Sequence, residues 1–292
     1  MKKIINLIGL LSVVLLLTAC SSDGEKSAEP TNINKMTVSD YIKSDEKESK
    51  YMLISNHHEV DKDTSIDFVL SFDKDETVAY TINSGNELKL GDFAKMSDKE
   101  IAKYLKETDE KQQKEMVTMM QSSLDDYKES AIKYFDDNDK YPNLVKADTT
   151  RIATENYISK IQASINVYKV KSLPSNKISV SIKTDGSGNK TESETISFDT
   201  SAYRADAIVP GKIMSDSEID DLIEKKAYEI APAALSHSES FSSGTNDRWA
   251  EFYDVNYNIL PTNNGFIAFR SKKQVELALD QPDASDKDIE ID

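Results

Sequence analysis

The stretch that decides the fold class runs Ile178-Ser179-Val180-Ser181-Ile182, through Asp185-Gly186-Ser187-Gly188-Asn189, and back along Ile196-Ser197-Phe198. Apolar residues alternate with polar ones on both arms, which is the period of a half-buried strand. The glycines between them supply positive φ, so the arms fold into an antiparallel hairpin with a long loop. The same alternation recurs further out. Ile66, Phe68, Leu70 and Phe72 face Val78, Tyr80 and Ile82 across the polar link Asp73-Lys74-Asp75-Glu76, a second hairpin. Tyr51 to Ile54 is a short strand. Tyr253, Val255, Tyr257 and Ile259 alternate as another. Asn263-Asn264-Gly265 then turns the chain, Phe266 to Phe269 pairs back, and Val275, Leu277 and Leu279 make a last strand.

Helices separate these strands. Ser97-Asp98-Lys99-Glu100 is a capping box, in which the serine oxygen accepts from an exposed N–H and the glutamate reaches back. Ile101, Leu105, Met116, Met119, Met120, Leu124, Tyr127 and Phe135 keep a helical period behind it. Glu107 to Glu115 has no apolar residue. That leaves one long helix to about Asp136, solvated midway, or two helices broken near Asp109. Residues 148–172 fit a helix to about 163 and a strand after it. A second capping box, Ser215 to Glu218, opens a helix with Ile219, Leu222, Ile223, Ala227 and Ile230 on one face, ended by Pro232. Strands and helices mix without βαβ regularity, so the class is α+β: antiparallel hairpins and small sheets, a long helix in the N-terminal half and a shorter one in the C-terminal half.

Composition bounds the rest. The 292 residues hold 36 Lys+Arg and 52 Asp+Glu, a net charge of −16, with 38% hydrophobic residues and one cysteine. The chain has apolar residues enough for a core. A single cysteine excludes an intrachain disulfide and any multi-cysteine metal site. The acid excess argues against a nucleic-acid partner, since a phosphate backbone would be repelled.

That cysteine ends a leader. Lys2 and Lys3 precede the apolar run Ile4 to Leu17, which is short for a membrane span and suits a secretory signal. It closes on Leu17-Thr18-Ala19-Cys20, which resembles the bacterial lipobox, with cleavage between Ala19 and Cys20 and diacylglycerol on the Cys20 thiol. Two acyl chains on one glycerol suffice for stable anchoring. Cleavage removes two lysines and takes the mature charge from −16 to −18. Four arginines against 32 lysines point to a low-GC Gram-positive source. In a Gram-negative cell, Ser21 after the cysteine would favour the outer membrane.

The expected organisation is a lipoprotein signal at 1–19, a disordered tether at 20–35, α+β regions at 36–140 and 141–280, and a loose acidic tail at 281–292. Several stretches resemble a group of uncharacterised cell-envelope lipoproteins of Gram-positive bacteria. Beyond the lipobox they are Thr37 to Ile42, Leu90 to Asp98, Lys183 to Asn189, and the ending from Leu279 to Asp292. The resemblance implies an envelope lipoprotein on the extracytoplasmic face of the cell membrane. It carries no assigned activity, so no catalytic residue transfers from it.

The search for chemistry yields little. His57, His58 and His237 are the only histidines. His57 and His58 with Asp61 and Asp63 could form a weak divalent site, but a solvated loop is the expectation, since zinc wants three or four convergent ligands. His237 follows a helix end among serines, where a capping or surface role is expected. Asp61-x-Asp63-x-Ser65 and Asp185-x-Ser187-x-Asn189 have calcium-loop spacing but lack the glycine and the glutamate that an EF-hand needs. Ser44 to Lys47 and Ser187 to Lys190 match Ser-x-x-Lys without the companion motifs. No phosphate-binding glycine loop occurs. No catalytic, cofactor or metal residue is therefore assigned. Trp249, Phe252, Tyr253 and Tyr257 form the densest aromatic patch, a candidate surface for a wall polymer or a partner protein, with core packing as the plainer use. The leading expectation is a non-enzymatic binding or envelope-accessory lipoprotein. The alternative is a lipid-anchored hydrolase acting on wall material through paired carboxylates. A transporter receptor ranks last for want of βαβ repeats, and the end of the leader, Val13 to Ala19, also resembles released peptide pheromones.

Overall fold

The computed structural model describes residues 34–43, 50–73, 76–82, 87–139, 147–202, 208–230, 233–242, 248–271, 275–282 and 288–291. The leader, with Ala19 and Cys20, and the tether up to residue 33 lie outside the described residues, as does Ser44 to Lys47. Met36 to Asp292 form one compact unit. Among the described residues no helix is long and apolar enough to cross a membrane.

Strand β1 (Asn34–Thr37) leads into a short helix α1 (Val38–Lys43). Next comes β2 (Lys50–Ser55), in which every residue is buried. The run Tyr51-Met52-Leu53-Ile54 has no polar alternation because both of its faces are covered. Met52 and Ile54 enter one apolar cluster, and Tyr51 and Leu53 enter another. β2 sits inside a six-stranded antiparallel sheet of order β10-β11-β12-β2-β4-β5. Its other members are β4 (Phe68–Asp73), β5 (Glu76–Thr81), β10 (Arg248–Phe252), β11 (Val255–Pro261) and β12 (Phe266–Ser271). Small strands β3 (Ser65–Ile66) and β6 (Leu88–Lys89) pair beside it. β13 (Val275–Ala278) carries the buried Leu277.

A second sheet is built on the hairpin of β7 (Ile178–Thr184) and β8 (Thr191–Ala202); with β9 (Ala233–Ser242) and β14 (Asp288–Ile291) its order is β14-β7-β8-β9. Asp185 Oδ1 accepts from the Ser187 amide and hydroxyl in its loop, at 3.1 and 2.7 Å. Ile178, Val180, Ile196, Phe198 and Phe241 from this sheet share one cluster with Met52, Ile54, Leu70 and Phe269 from the first. That cluster joins residues from both sides of residue 140. The opposite face of the six-stranded sheet packs on helix α2 (Leu90–Lys95) and on Ile101 and Leu105 of helix α3 (Asp98–Asp139). The fold is α+β, with a long helix α3 in the first half.

Helix α3 has 42 residues, about 60 Å at 1.5 Å per residue. The Ser97 capping box forms: the Ser97 amide and hydroxyl donate to Glu100 Oε2 at 2.8 and 2.7 Å. Arg270 on β12, only 15% exposed, donates to Asp98 Oδ1 at 2.7 Å and to the Met96 carbonyl at 2.9 Å, tying the helix start to the sheet. The helix then leaves the sheet and packs Met116, Met120, Leu124 and Tyr127 against Tyr157 and Ile161 of helix α4 (Ala147–Val167) and Ile219 of helix α5 (Asp216–Glu224). This third cluster forms a helical arm.

Several expectations are corrected. The helix neither breaks at Asp109 nor is solvated throughout its middle. Gln113 is fully buried there, donating to Asp109 Oδ2 and the Lys171 carbonyl and accepting from the Tyr168 hydroxyl and the Lys171 amide, so all four amide positions are filled. No strand starts after residue 163. α4 continues to Val167 because Ile165 and Tyr168 extend the stripe of Ile158 and Ile161 against the same cluster. α5 stops at Glu224, well before Pro232. Lys226 takes φ +53°, and the Ala227 and Lys226 amides donate back to the Leu222 and Ile223 carbonyls, a Schellman-type ending. Tyr253 is not in a strand. It and Asp254 have φ +53° and +63°, forming the two-residue turn between Phe252 and Val255. β9 (Ala233–Ser242) and β14 (Asp288–Ile291) stand where a helix end with loop and a loose tail were expected. β9 presents Leu235, His237, Glu239 and Phe241 on one side, and two polar residues among these hid its period. The end of the acidic tail pairs its backbone antiparallel with β7, Ile289 in register with Val180 and Ile291 with Ile178.

Candidate functional site

The aromatic patch does not stay together. Tyr257 is fully buried, and burial pushes its phenol far above the usual tyrosine range. Phe252 packs beside it with ring centroids 6.0 Å apart. Trp249 lies opposite Asn258, so alternation along β11 turns it to the other face of the sheet. Tyr253, 53% exposed, stands on the turn under the Lys95 ammonium, 4.7 Å from its ring centroid. These four residues are two core aromatics or flanks, one ring across the sheet, and one exposed ring.

His57 and His58 are exposed in a loop. Asp61 Oδ1 accepts from the Asp63 amide at 2.7 Å and Asp63 stays exposed, so the loop folds on its own backbone. No group of three metal-ligating side chains occurs among the described residues. His237 is a structural surprise. Its ring lies 4.5 Å from that of Phe68 and 5.4 Å from that of Phe198, with Nε2 at 2.9 Å from Thr200 Oγ1. Burial lowers its pKa, against the pull of Glu239 and Asp199.

Two constellations remain. The first is a buried carboxyl pair. Glu194 on β8 is wholly buried and Asp280 nearly so. The Asp280 amide donates to Glu194 Oε2 at 2.9 Å, and Glu194 Oε1 has no hydrogen-bond partner. Asp280 Oδ2 in turn accepts from the Ser39 amide at 3.2 Å and hydroxyl at 2.8 Å, and its carbonyl accepts from the Thr191 hydroxyl. Desolvation pushes Glu194 up to about 8, with the Asp280 charge adding to the rise, so the carboxyl is neutral over most of the physiological range. A perturbed carboxyl marks a functional candidate when it lines a cleft. This one is closed in, and a polymer cannot reach it. Its use is mechanical: it ties the segment after β13 and the start of α1 to the centre of the second sheet.

The second constellation is open. Between the outer half of α3 and the first turns of α4 runs a groove of about 500 Å³. It is lined by apolar Ala131, Ile132, Phe135 and Ile158, spaced as one stripe on each helix. Arg151 lies over the Phe135 ring, 5.2 Å from its centroid. Thr154 lines the groove and is fully buried, and its hydroxyl lies beside the buried Tyr127 hydroxyl, which it stabilises; neither oxygen has any other hydrogen-bond partner. Lys128 bonds Asp125 Oδ1 at 3.0 Å and Gln162 Oε1 at 2.8 Å. Asp136 and Glu155 complete the rim. A volume of this size, apolar walls and a few placed polar groups are the marks of a small-ligand site.

Comparison of the chain with family models, with curated proteins and with solved structures finds no match.

Sequence reasoning placed Phe135, Tyr127 and Lys128 on a helix but not at a groove, since the helix pairing is long-range. The signal that could have found it is the stripe Arg151, Thr154, Glu155 and Ile158 on α4, whose three polar members masked a contact face. Glu194 had no signal beyond a glutamate at an inward position of an alternating strand.

Proposed function

We propose that the protein is a lipid-anchored extracytoplasmic binding protein of the bacterial envelope, held by diacylglycerol on Cys20 and presenting the α3–α4 groove as its binding site. The single observation that carries the anchor is Leu17-Thr18-Ala19-Cys20 behind a basic and apolar leader, with no second cysteine in the chain. The groove supports a binding role because it combines open apolar walls with a buried hydroxyl pair, Thr154 and Tyr127, that holds one more donor than it can satisfy itself. The resemblance to Gram-positive envelope lipoproteins agrees with this location. The hydrolase alternative requires two carboxyls flanking a reachable glycosidic bond. Glu194 and Asp280 are too enclosed to serve it, which favours binding over hydrolysis. Fractionation tests the anchor: the wild-type chain partitions into the detergent phase, and Cys20→Ala moves it to the aqueous phase. Detergent-phase partitioning that survives Cys20→Ala contradicts the reading.

A further inference from the structure

We infer that the α3–α4 groove takes an amphiphilic anion, a ligand with an apolar or aromatic body and an oxygen-anion head such as a carboxylate. This deepens the binding reading above and rests on it. The walls decide the body. Ala131, Phe135 and Ile158 offer an aliphatic and aromatic surface, and Ile132 is 63% exposed at its edge, an apolar exposure that a bound body would remove from water. A volume of about 500 Å³ holds a small organic molecule and is narrow for a folded partner.

The polar groups decide the head. The Thr154 and Tyr127 hydroxyls are buried side by side, so one O–H can serve the other oxygen and the pair still holds one donor in need of an acceptor. Arg151 holds its guanidinium over the Phe135 ring, beside the apolar body rather than out in solvent. A guanidinium has five donors in a planar fork, so it can serve a carboxylate while keeping other contacts. The rim also carries Asp136 and Glu155, both exposed. Their repulsion acts through water and is screened, whereas the Arg151 contact is direct and partly desolvated. The direct contact therefore sets the sign. Lys128 adds a second cation, already shared with Asp125 and Gln162.

The test uses the full chain carrying Cys20→Ala, so that no acyl chain of the anchor competes for the groove. Isoleucine methyl resonances are followed while 4-phenylbutyrate, 4-phenylbutan-1-ol or 4-phenylbutylammonium is titrated in. Ile132 and Ile158 report the groove; Ile54 and Ile267 in the sandwich report any general disturbance. The carboxylate should bind roughly tenfold or more tightly than the alcohol, the scale of one charge-assisted hydrogen bond. Arg151→Gln should erase that preference, and Thr154→Val should weaken carboxylate binding several-fold, both with the Ile54 and Ile267 methyls unmoved. If the alcohol or the ammonium binds at Ile132 and Ile158 as well as the carboxylate, the anionic class is overturned while the groove stands as a site; if the preference survives Arg151→Gln, the assignment of the anionic head to Arg151 is overturned. If none of the three probes moves those methyls, the inference and the binding reading both fall.

Discussion

In β2 every residue from Lys50 to Ser55 is buried, whereas on the outer half of α3 Ile132 is 63% exposed beside the buried Ala131 and Phe135. The six-stranded sheet closes on both sides, and the second sheet closes on the face it shares with the first. Even their polar intruders are absorbed: Lys50 donates to the Tyr41 and Ile42 carbonyls at 3.0 Å, and Glu194 holds the Asp280 amide. The arm packs each helix along one stripe and leaves a second stripe facing a groove. The difference teaches where this chain keeps its stability and where it has surface to spare. A region that buries both faces has little left with which to recognise anything.

The comparison breaks if the sandwich's buried carboxyl is not as isolated as its packing implies. Glu194 titrates near 4.5 when unfolded and at about 8 when folded. Its protonated form is the one the fold accommodates, so its contribution is fully present below pH 4.5 and is lost as pH rises through 8. At 1.36 kcal/mol per unit the loss over that window is roughly 5 kcal/mol. Denaturant midpoints of wild type against Glu194→Gln should diverge across pH 4.5 to 8, with the variant declining less. Parallel profiles would show that water reaches the site.

Packing gives the next effect. Leu53→Ala removes a fully buried side chain from a strand covered on both faces and should cost about 3 kcal/mol in urea unfolding. Met119→Ala, at a position 63% exposed on the arm, should stay within about 0.5 kcal/mol. Equal losses would erase the contrast between the regions. Where they join, Arg270→Met breaks the contact with Asp98 and leaves the Met96 carbonyl without its guanidinium donor. About 2 kcal/mol should be lost, with hydrogen exchange rising first in the opening turns of α3. A smaller loss, above only the near-neutral Met119→Ala, belongs to the arm alone. Ser215→Ala removes the capping-box hydroxyl of α5 and should cost about 1 kcal/mol, read as faster exchange of the α5 amides.

How far the sequence discloses this architecture varies by region for physical reasons. The hairpins of β4 with β5 and β7 with β8, and both capping boxes, are local: their alternation, turn residues and caps lie within a few residues of one another. Gly265 shows local and distant demands coinciding. A Cβ there would stand 2.0 Å from the Ser55 carbonyl oxygen, so the Asn-Asn-Gly turn also lets β12 approach β2. β9 escaped notice because His237 and Glu239 occupy inward positions where apolar residues were sought. β14 needs β7, more than a hundred residues away, before its backbone has a strand to pair with. Gln112 and Gln113 look solvated until the ends of β5 and α4 arrive to meet them, Gln112 donating to the Thr81 carbonyl at 2.8 Å. The groove belongs to this second group: its two stripes are written on separate helices and become one site only when the arm folds.

The central claim is that recognition belongs to the arm and stability to the sandwich. The most direct measurement is the isoleucine methyl map of the full chain, carrying Cys20→Ala, saturated with 4-phenylbutyrate. The account predicts shifts at Ile132 and Ile158 with Ile54 and Ile267 unchanged. Shifts centred on Ile54 and Ile267, or none at Ile132 and Ile158, would contradict it.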